Sequence, residues 1–281
     1  MIRRSLPVLL LLAACASENE GSMPAEAAAP KEAAPASLTL TALDCGTIEA
    51  LDLGIFDVGG AYDGQTDTLA DSCWLIEHED GTLLWDLGLP AGLVEGGPMT
   101  DGPFRVSLTR TLADQLAERG VTPDFVAISH SHFDHVGQPE AAEGAVWLAQ
   151  RDEREAMEEA AAADETGSLA TLLAFETESF DGERDVFGDG RVKIIEMRGH
   201  TPGHSVLWVD LAETGPVLLA GDLYHLDRAR ELRTVPTFNS SEAETRASMA
   251  AFEALAQETG ARVIIQHEDA DVAPLYGTTL R

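Results

Sequence analysis

The segment HSHFDH, residues 130–135, places three of the chain's eight histidines and an aspartate in six consecutive positions. Imidazoles this close repel one another when protonated and lose hydration when buried, so an ordinary apolar core does not collect them. The stretch that leads in, DFVAISH, reads as a buried strand. His130 and His132 stand two apart in that extended segment and therefore point the same way. Asp134 and His135 then fall in a turn leading into a helix. Histidine is the commonest metal-ligating side chain near neutral pH, and an added carboxylate suits zinc or another first-row cation. Standing alone, such a cluster has a second explanation, a His-rich loop that binds metal adventitiously.

Three further segments carry the same chemistry. RVKIIEMRGH is a strand running to His200, followed by the turn Thr201-Pro202-Gly203 and a second strand, HSVLWVD. PVLLAGD is a strand ending in Asp222, and ARVIIQH a strand ending in His267. Polar groups at the C-terminal ends of apolar strands occupy the place where α/β proteins put ligand sites, since the loops vary there while the strands hold them. His130, His132, Asp134, His135, His200, Asp222 and His267 are enough for two four- or five-coordinate cations sharing one carboxylate and one water.

Around these segments the pattern is mixed. SCWLIEHEDGTLLWDLG is a hairpin turning at Glu79-Asp80-Gly81, with His78 beside the turn and expected to face solvent. Leu108, Leu112 and Leu116 at four-residue spacing predict a helix over Arg105–Arg119, stopped at Gly120. AVWLAQ is a short strand, followed by an Ala/Glu-rich helix from about Arg151 to Ala163, and Glu242 to Glu258 reads as another helix. Cys45 and Cys73 both sit in strand-like apolar stretches, away from the histidine clusters. A disulfide between them and a pair of free buried thiols are both ordinary outcomes.

The N-terminus belongs to export rather than to the fold. MIRRSLPVLLLLAAC has two arginines and an apolar run too short to span a bilayer as a permanent helix, so residues 1–15 read as a signal segment. Leu12-Ala13-Ala14-Cys15 resembles the bacterial lipobox, which makes Cys15 the lipidated mature N-terminus. Ala16 and Ser17 lack the aspartate that retains lipoproteins in the inner membrane, pointing to the outer one. Residues 16–37, Ala, Glu, Pro and Ser with almost no large apolar side chain, cannot bury enough surface to offset their ordering entropy and read as a tether. Residues 38–281 remain for the folded domain, and the membrane is met only through the lipid. A net charge of −31 argues against nucleic acid, because phosphate binding needs clustered Lys and Arg. It also disfavours a strongly anionic substrate unless metal ions reverse the local field.

In their order, HSHFDH, RGHTPGHS, AGDLYH and IQHED resemble the metallo-β-lactamase superfamily of hydrolases over roughly Leu51 to Ala270, HSHFDH matching its HxHxDH signature. The resemblance implies an α/β fold, a four-layer αβ/βα sandwich, and two divalent cations, with zinc the expected metal. It implies that His130, His132 and His200 hold the first cation, Asp134, His135 and His267 the second, and that Asp222 bridges them. In GHTPGH the first histidine matches the family ligand, which leaves His204 to hold a ligand or the loop from outside. Asp86 in LLWDLG matches an aspartate that orients ligands, its alternative being a plain carboxylate at a hairpin end.

Two such cations, about 3.5–4 Å apart, hold a bridging water and lower its pKa towards roughly 7. In the family Asp134 lies beside that water and passes a proton to the leaving group. The implied reaction is hydrolysis of an ester, lactone, thioester or amide. A bridging Asp222 argues against a β-lactamase, and His132 favours hydrolytic zinc over the di-iron redox pattern HxExDH. Within what remains, SCWLIEHEDGTLLWDLGLP and the spacing of the histidine elements look like the N-acyl homoserine lactonase group, which opens the lactone ring of quorum-sensing signals. That group carries a substrate-contacting tyrosine usually three residues beyond the bridging aspartate. Here Tyr224 stands two beyond and is the candidate for that role, with a core residue as its alternative; His225 is left open. The other readings are a glyoxalase II-like thioesterase and a metal-binding lipoprotein without turnover. The thioesterase group recognises glutathione through a basic C-terminal extension, for which fourteen residues after His267 leave no room.

Overall fold

A computed structural model describes residues 37–281. The expected signal segment with Cys15, and the tether as far as residue 36, lie outside the described residues. The described residues form one compact unit. The strands are β1 (Thr39–Ala50), β2 (Asp67–His78), β3 (Gly81–Trp85), β4 (Met99–Asp101), β5 (Phe104–Ser107), β6 (Phe125–Ala127), β7 (Val146–Gln150), β8 (Thr177–Phe180), β9 (Glu183–Asp185), β10 (Val192–Glu196), β11 (Ser205–Leu211), β12 (Gly215–Leu219), β13 (Arg262–Ile264) and β14 (Thr279–Leu280). One sheet runs β4-β5-β1-β2-β3-β6-β7-β8 with β14 beside β1, and the other β13-β12-β11-β10-β9. β3, β6, β7 and β8 are parallel, as are β12 and β13, while the remaining pairings are antiparallel.

The side-chain alternation of the strands builds the layers. In β2, Trp74 and Ile76 face the second sheet and meet Ile194, Leu207, Val209 and Leu219 in a core between the sheets. Leu75, between them, faces the opposite way with Leu84, Val126 and Trp147. That face is covered by Leu112 and Leu116 of the helix Leu112–Arg119, Met157 of Arg151–Ala160, and Leu169 and Leu172 of Ser168–Leu173. The outer face of the second sheet, Val206 and Leu218, packs on Met249, Phe252 and Ala256 of the helix Glu242–Thr259. Helix, sheet, sheet and helix thus stack as the αβ/βα sandwich. Among the described residues no helix is long and apolar enough to cross a membrane.

Two local expectations are corrected. The helix expected over Arg105–Arg119 begins only at Leu112, where Thr111 Oγ1 accepts the Asp114 N–H as an N-cap. Phe104–Ser107 instead pairs with β1, and Leu108 belongs to a different apolar cluster from Leu112 and Leu116, so its four-residue spacing is coincidental. His78 is buried, stacked at 4.2 Å on Phe187 with Nε2 3.1 Å from Asp189, because the connection from β9 to β10 folds over the hairpin end. Elsewhere the turn of that hairpin tightens to Glu79-Asp80, since His78 pairs directly with Gly81.

Cys45 and Cys73 form a disulfide between β1 and β2, at the bulge where the register shifts between Asp44 and Gly46. Gly88 lies on this bond in a left-handed conformation (φ 60°), where a Cβ would collide with Cys45. The loop after β3 is thereby pressed against the disulfide, and that loop begins with Asp86.

Candidate metal centre

All the predicted ligands leave the C-terminal ends of their strands on one edge of the sandwich: the HSHFDH turn after β6, His200 after β10, Asp222 after β12 and His267 after β13. His130 Nε2, His132 Nδ1 and His200 Nε2 lie 2.9, 3.0 and 3.2 Å from one another. His135 Nε2 and His267 Nε2 are 3.2 Å apart, with the two Asp134 oxygens 3.8 and 3.7 Å from them. Asp222 stands between the groups. Its Oδ2 is 3.5 Å from His130 Nε2 and 3.4 Å from His200 Nε2, and its Oδ1 is 3.2 Å from His135 Nε2 and 3.0 Å from His267 Nε2. Tetrahedral ligands at a Zn–N distance of about 2.0–2.1 Å sit roughly 3.3 Å apart, which is the scale of these separations.

Hydrogen bonds behind the rings explain why these atoms face inward. His267 Nδ1 donates to Ala70 O at 2.7 Å, His200 Nδ1 donates to Asn239 Oδ1 at 2.9 Å, and His135 Nδ1 lies 3.1 Å from Asp86 Oδ2. Each leaves its Nε2 lone pair turned to the shared space. Asp86 lies behind His135, outside the space that the donors share. Its carboxylate accepts the Ser129 N–H at 2.6 Å and a Gln266 Nε2–H at 2.7 Å, and its backbone is left-handed (φ 61°), a conformation that costs a non-glycine residue energy and clusters at functional sites. His204 stays outside the ring of donors: Nδ1 donates to Met197 O and Nε2 accepts the Asp222 N–H.

The charges agree with a site built to hold cations. Burial, then neighbouring histidines, holds His130 and His132 well below the usual imidazole range, so both rings are neutral donors. For His267 burial opposes protonation, yet Asp222 and Asp134 outweigh it and push the ring up to about 9. His135 is raised in the same way against burial, by Asp222, Asp134 and Asp86. Protons there stand in for positive charge that the carboxylates call for. Asp222 Oδ1 is buried without a hydrogen-bond partner. The donor set fits two divalent first-row cations.

A cavity of about 200 Å³ opens over the cluster. His132, Asp134, Asp222, His225 and His267 form its floor, and Ile48, Phe56, Leu69, Phe104, Phe133 and Phe238 its walls. Tyr224 is not among them, which corrects its expected place. It is buried against Phe252 beneath the helix Glu242–Thr259, and its phenol is raised by burial and by Glu253. Tyr224 is extended (φ −141°), so it and its neighbour point to opposite sides, and His225 is the one that reaches the cavity. His225 Nε2 lies 3.0 Å from Asp222 Oδ2, its ring stacked on His267 at 5.7 Å and edge-on to Phe56 at 4.7 Å. His225 stands three residues beyond Asp222, a spacing that could have identified it.

The profile of the metallo-beta-lactamase superfamily matches residues 66–267, a span that holds every donor described above. The chain belongs to that superfamily. Among its relatives, N-acyl homoserine lactonase AiiA of Bacillus thuringiensis subsp. kurstaki is 29% identical over 160 residues, covering 53% of this chain and 62% of that protein. N-acyl homoserine lactonase AttM of Rhizobium johnstonii is 30% identical over 217 residues, covering 70% of this chain and 81% of that protein. The chain thus spans less than two thirds of the length of the Bacillus relative. A solved N-acyl homoserine lactone hydrolase, with its product N-hexanoyl-L-homoserine bound at the catalytic metal centre, superposes with a TM-score of 0.70 at 23% identity, over 82% of this chain and 93% of that one. The dizinc quorum-quenching lactonase AidC superposes with a TM-score of 0.62 at 17% identity, over 83% and 88%. These superpositions establish the shared fold.

Proposed function

We propose that the protein is a binuclear metal-dependent lactonase that opens the ring of N-acyl homoserine lactones, with zinc as its native metal. The observation that carries this reading is the cavity: its walls are aliphatic and aromatic, and among the described residues no Lys or Arg lines it. Such a pocket takes a neutral head with an apolar tail, and its walls offer no lysine or arginine to the carboxylates of a glutathione thioester. The names of the AiiA and AttM relatives support the same substrate class.

His130, His132 and His200 would hold one cation, Asp134, His135 and His267 the other, with Asp222 reaching both. When bound, such a pair supplies Lewis acidity and brings the pKa of water towards about 7. The chain's own residues do the rest. Asp134 belongs to the cluster and to the cavity floor, so one carboxylate oxygen can take a proton from the attacking water and return it to the ring oxygen as the carbonyl C–O bond breaks. Phe56, Phe104, Phe133 and Phe238 seat the acyl chain and keep bulk water from the floor. The acid released by ring opening is read with a pH indicator, offering acyl homoserine lactones, simple lactones and S-lactoylglutathione. Cleavage of the acyl homoserine lactones, abolished by chelation and restored by zinc, is the expected result. Cleavage of the thioester alone would sink the lactonase, and bound metal with no hydrolysis would leave a binding protein.

The same reading places the protein in the bacterial envelope, exported, lipidated at Cys15 and held at the outer membrane. The leader, the lipobox and the disulfide, which persists in oxidising compartments, support it. Replacing Cys15 with Ala should release the protein from the membrane fraction and end fatty-acid labelling; unchanged labelling would refute the anchor.

A further inference from the structure

Glu153 lies in the first turn of the helix Arg151–Ala160, a residue with no part in the donor set, yet it is only 2% exposed. A buried carboxylate is stable only when its oxygens are satisfied. Here Oε1 accepts the Ser131 N–H at 2.7 Å and the Ser131 Oγ–H at 2.6 Å, while Oε2 accepts the Thr201 Oγ1–H at 2.6 Å and the Gly203 N–H at 3.0 Å. Ser131 is the residue between His130 and His132, and Thr201 is the residue after His200. One carboxylate therefore spans the two loops that deliver the three nitrogens of the first donor group.

The helix end is built to hold that carboxylate. Gln150 caps it by accepting the Glu153 N–H at 2.8 Å, and the positive end of the helix favours the negative charge. The second loop is seated directly on this end, since a Cβ at Gly203 would run into Gln150 Oε1 and the Glu153 backbone nitrogen. The second donor group is held differently, through Asp86 on His135 and through Gln266, next to His267, whose amide bonds Asp86 and Gly221. None of the four bonds to Glu153 touches Asp134, His135 or His267.

We propose that Glu153 is the positioning residue of the first donor group alone, setting the spacing of His130 and His132 against His200 and thereby the affinity for one of two cations. This rests on the reading that the cluster binds two. In Glu153→Gln the new amide would turn a donor towards Thr201 Oγ1 and the Gly203 N–H, or towards Ser131, and one half of the bridge is lost.

The test is a titration of metal-free protein with Zn²⁺ against a chromophoric chelator. Wild type should take up two equivalents; uptake of only trace metal would sink the two-cation reading itself, whatever Glu153 does. Given two, Glu153→Gln should weaken one equivalent tenfold or more and leave the other within twofold. Equal binding of both, or equal weakening of both, would overturn the proposal. The affected site is identified by combination. Adding Glu153→Gln to His267→Ala should remove the remaining equivalent, whereas adding it to His200→Ala should change little; the reverse pattern would overturn the assignment. Should Glu153→Gln not fold, as judged by circular dichroism and melting, Thr201→Val decides. It removes one of the four bonds and should weaken the same equivalent severalfold, with Thr201→Ser restoring it; an unaffected Thr201→Val would overturn the proposal.

Discussion

His204 Nε2 accepts the backbone N–H of Asp222 at 2.9 Å, while its Nδ1 donates to Met197 O at 3.0 Å. Burial, then His200, holds the ring down to about 3, so it remains the neutral tautomer that this pair of bonds requires. Gly221 fits closely here, since a Cβ would lie 2.6 Å from His204 Nε2. His204 thus aims Asp222 without touching the space between the donors. His204→Ala should weaken metal binding by about 10–100-fold, the usual cost of removing an outer partner. His200→Ala removes a donor and should lose one cation outright. Elemental analysis after gel filtration ranks the two, and the opposite ranking would show that the wrong histidine has been placed among the donors.

Asp222, Tyr224 and His225 divide three roles between them: metal loading, packing and turnover. Asp222 offers one oxygen to each group of rings, so Asp222→Ala should lose metal and activity together. Tyr224 packs on Phe252 outside the cavity, so Tyr224→Phe should keep its metal and kcat and change only the melting temperature. His225→Ala, by contrast, opens the cavity floor and should lower kcat/KM at least tenfold with the fold intact. A Tyr224→Phe enzyme that is crippled but fully loaded would mean the loop after Asp222 rearranges when substrate binds.

What was legible in the sequence was what repeats locally. HSHFDH, GHTPGH and the lone Asp222 and His267 each carry their chemistry within a few residues of an apolar run, and the strands bring all seven donors to one edge. What was not legible depends on distant partners. Leu108 shares the four-residue spacing of Leu112 and Leu116, but Arg105–Ser107 is claimed by β1 some sixty residues earlier in the chain. His78 reads as a turn residue until Phe187 stacks on it. Glu153 looks like one acid among many in an Ala/Glu helix, because nothing in RDEREAMEEA announces that Ser131 and Thr201 will close over it. The facing of Tyr224 and His225 turns on a single extended residue.

The two donor groups should respond differently to pH in the metal-free protein. Burial disfavours charge on His267, but Asp222 and Asp134 overcome it and raise the ring to about 9, and His135 is raised likewise. An unfolded histidine titrates near about 6.5. A folded value above the unfolded one means that the native state holds the proton more tightly. That stabilisation is fully present below about pH 6.5 and is lost as pH rises through about 9. His130, His132, His204 and His225 are shifted downward by burial and oppose folding only at lower pH, so they are silent in this window. The melting temperature of the metal-free protein should therefore fall between pH 6.5 and 9.5. Zinc affinity should rise over the same range, because binding no longer has to expel a proton. A melting temperature that holds steady or climbs across this window would contradict the charge assignment.

Chain-length preference should reside in the aromatic walls rather than at the floor. Phe133 and Phe238 line the cavity yet remain 43% and 38% exposed, so they stand at its mouth with apolar surface left uncovered. Phe133 lies 6.0 Å from Phe104, and Phe238 packs edge-on to Phe56 at 5.6 Å. A hexanoyl or longer tail would complete these contacts, while a short one would stop before reaching them. Each methylene seated in such a pocket is worth about 1–3 kcal/mol. Phe133→Ala and Phe238→Ala should therefore raise KM for decanoyl homoserine lactone by about tenfold, leave butanoyl homoserine lactone almost unchanged, and spare both metal content and kcat. Steady-state kinetics over a series of chain lengths measures this directly. An equal loss across the series would move the residues from tail binding to the stability of the mouth, and no loss would put the acyl chain along another path.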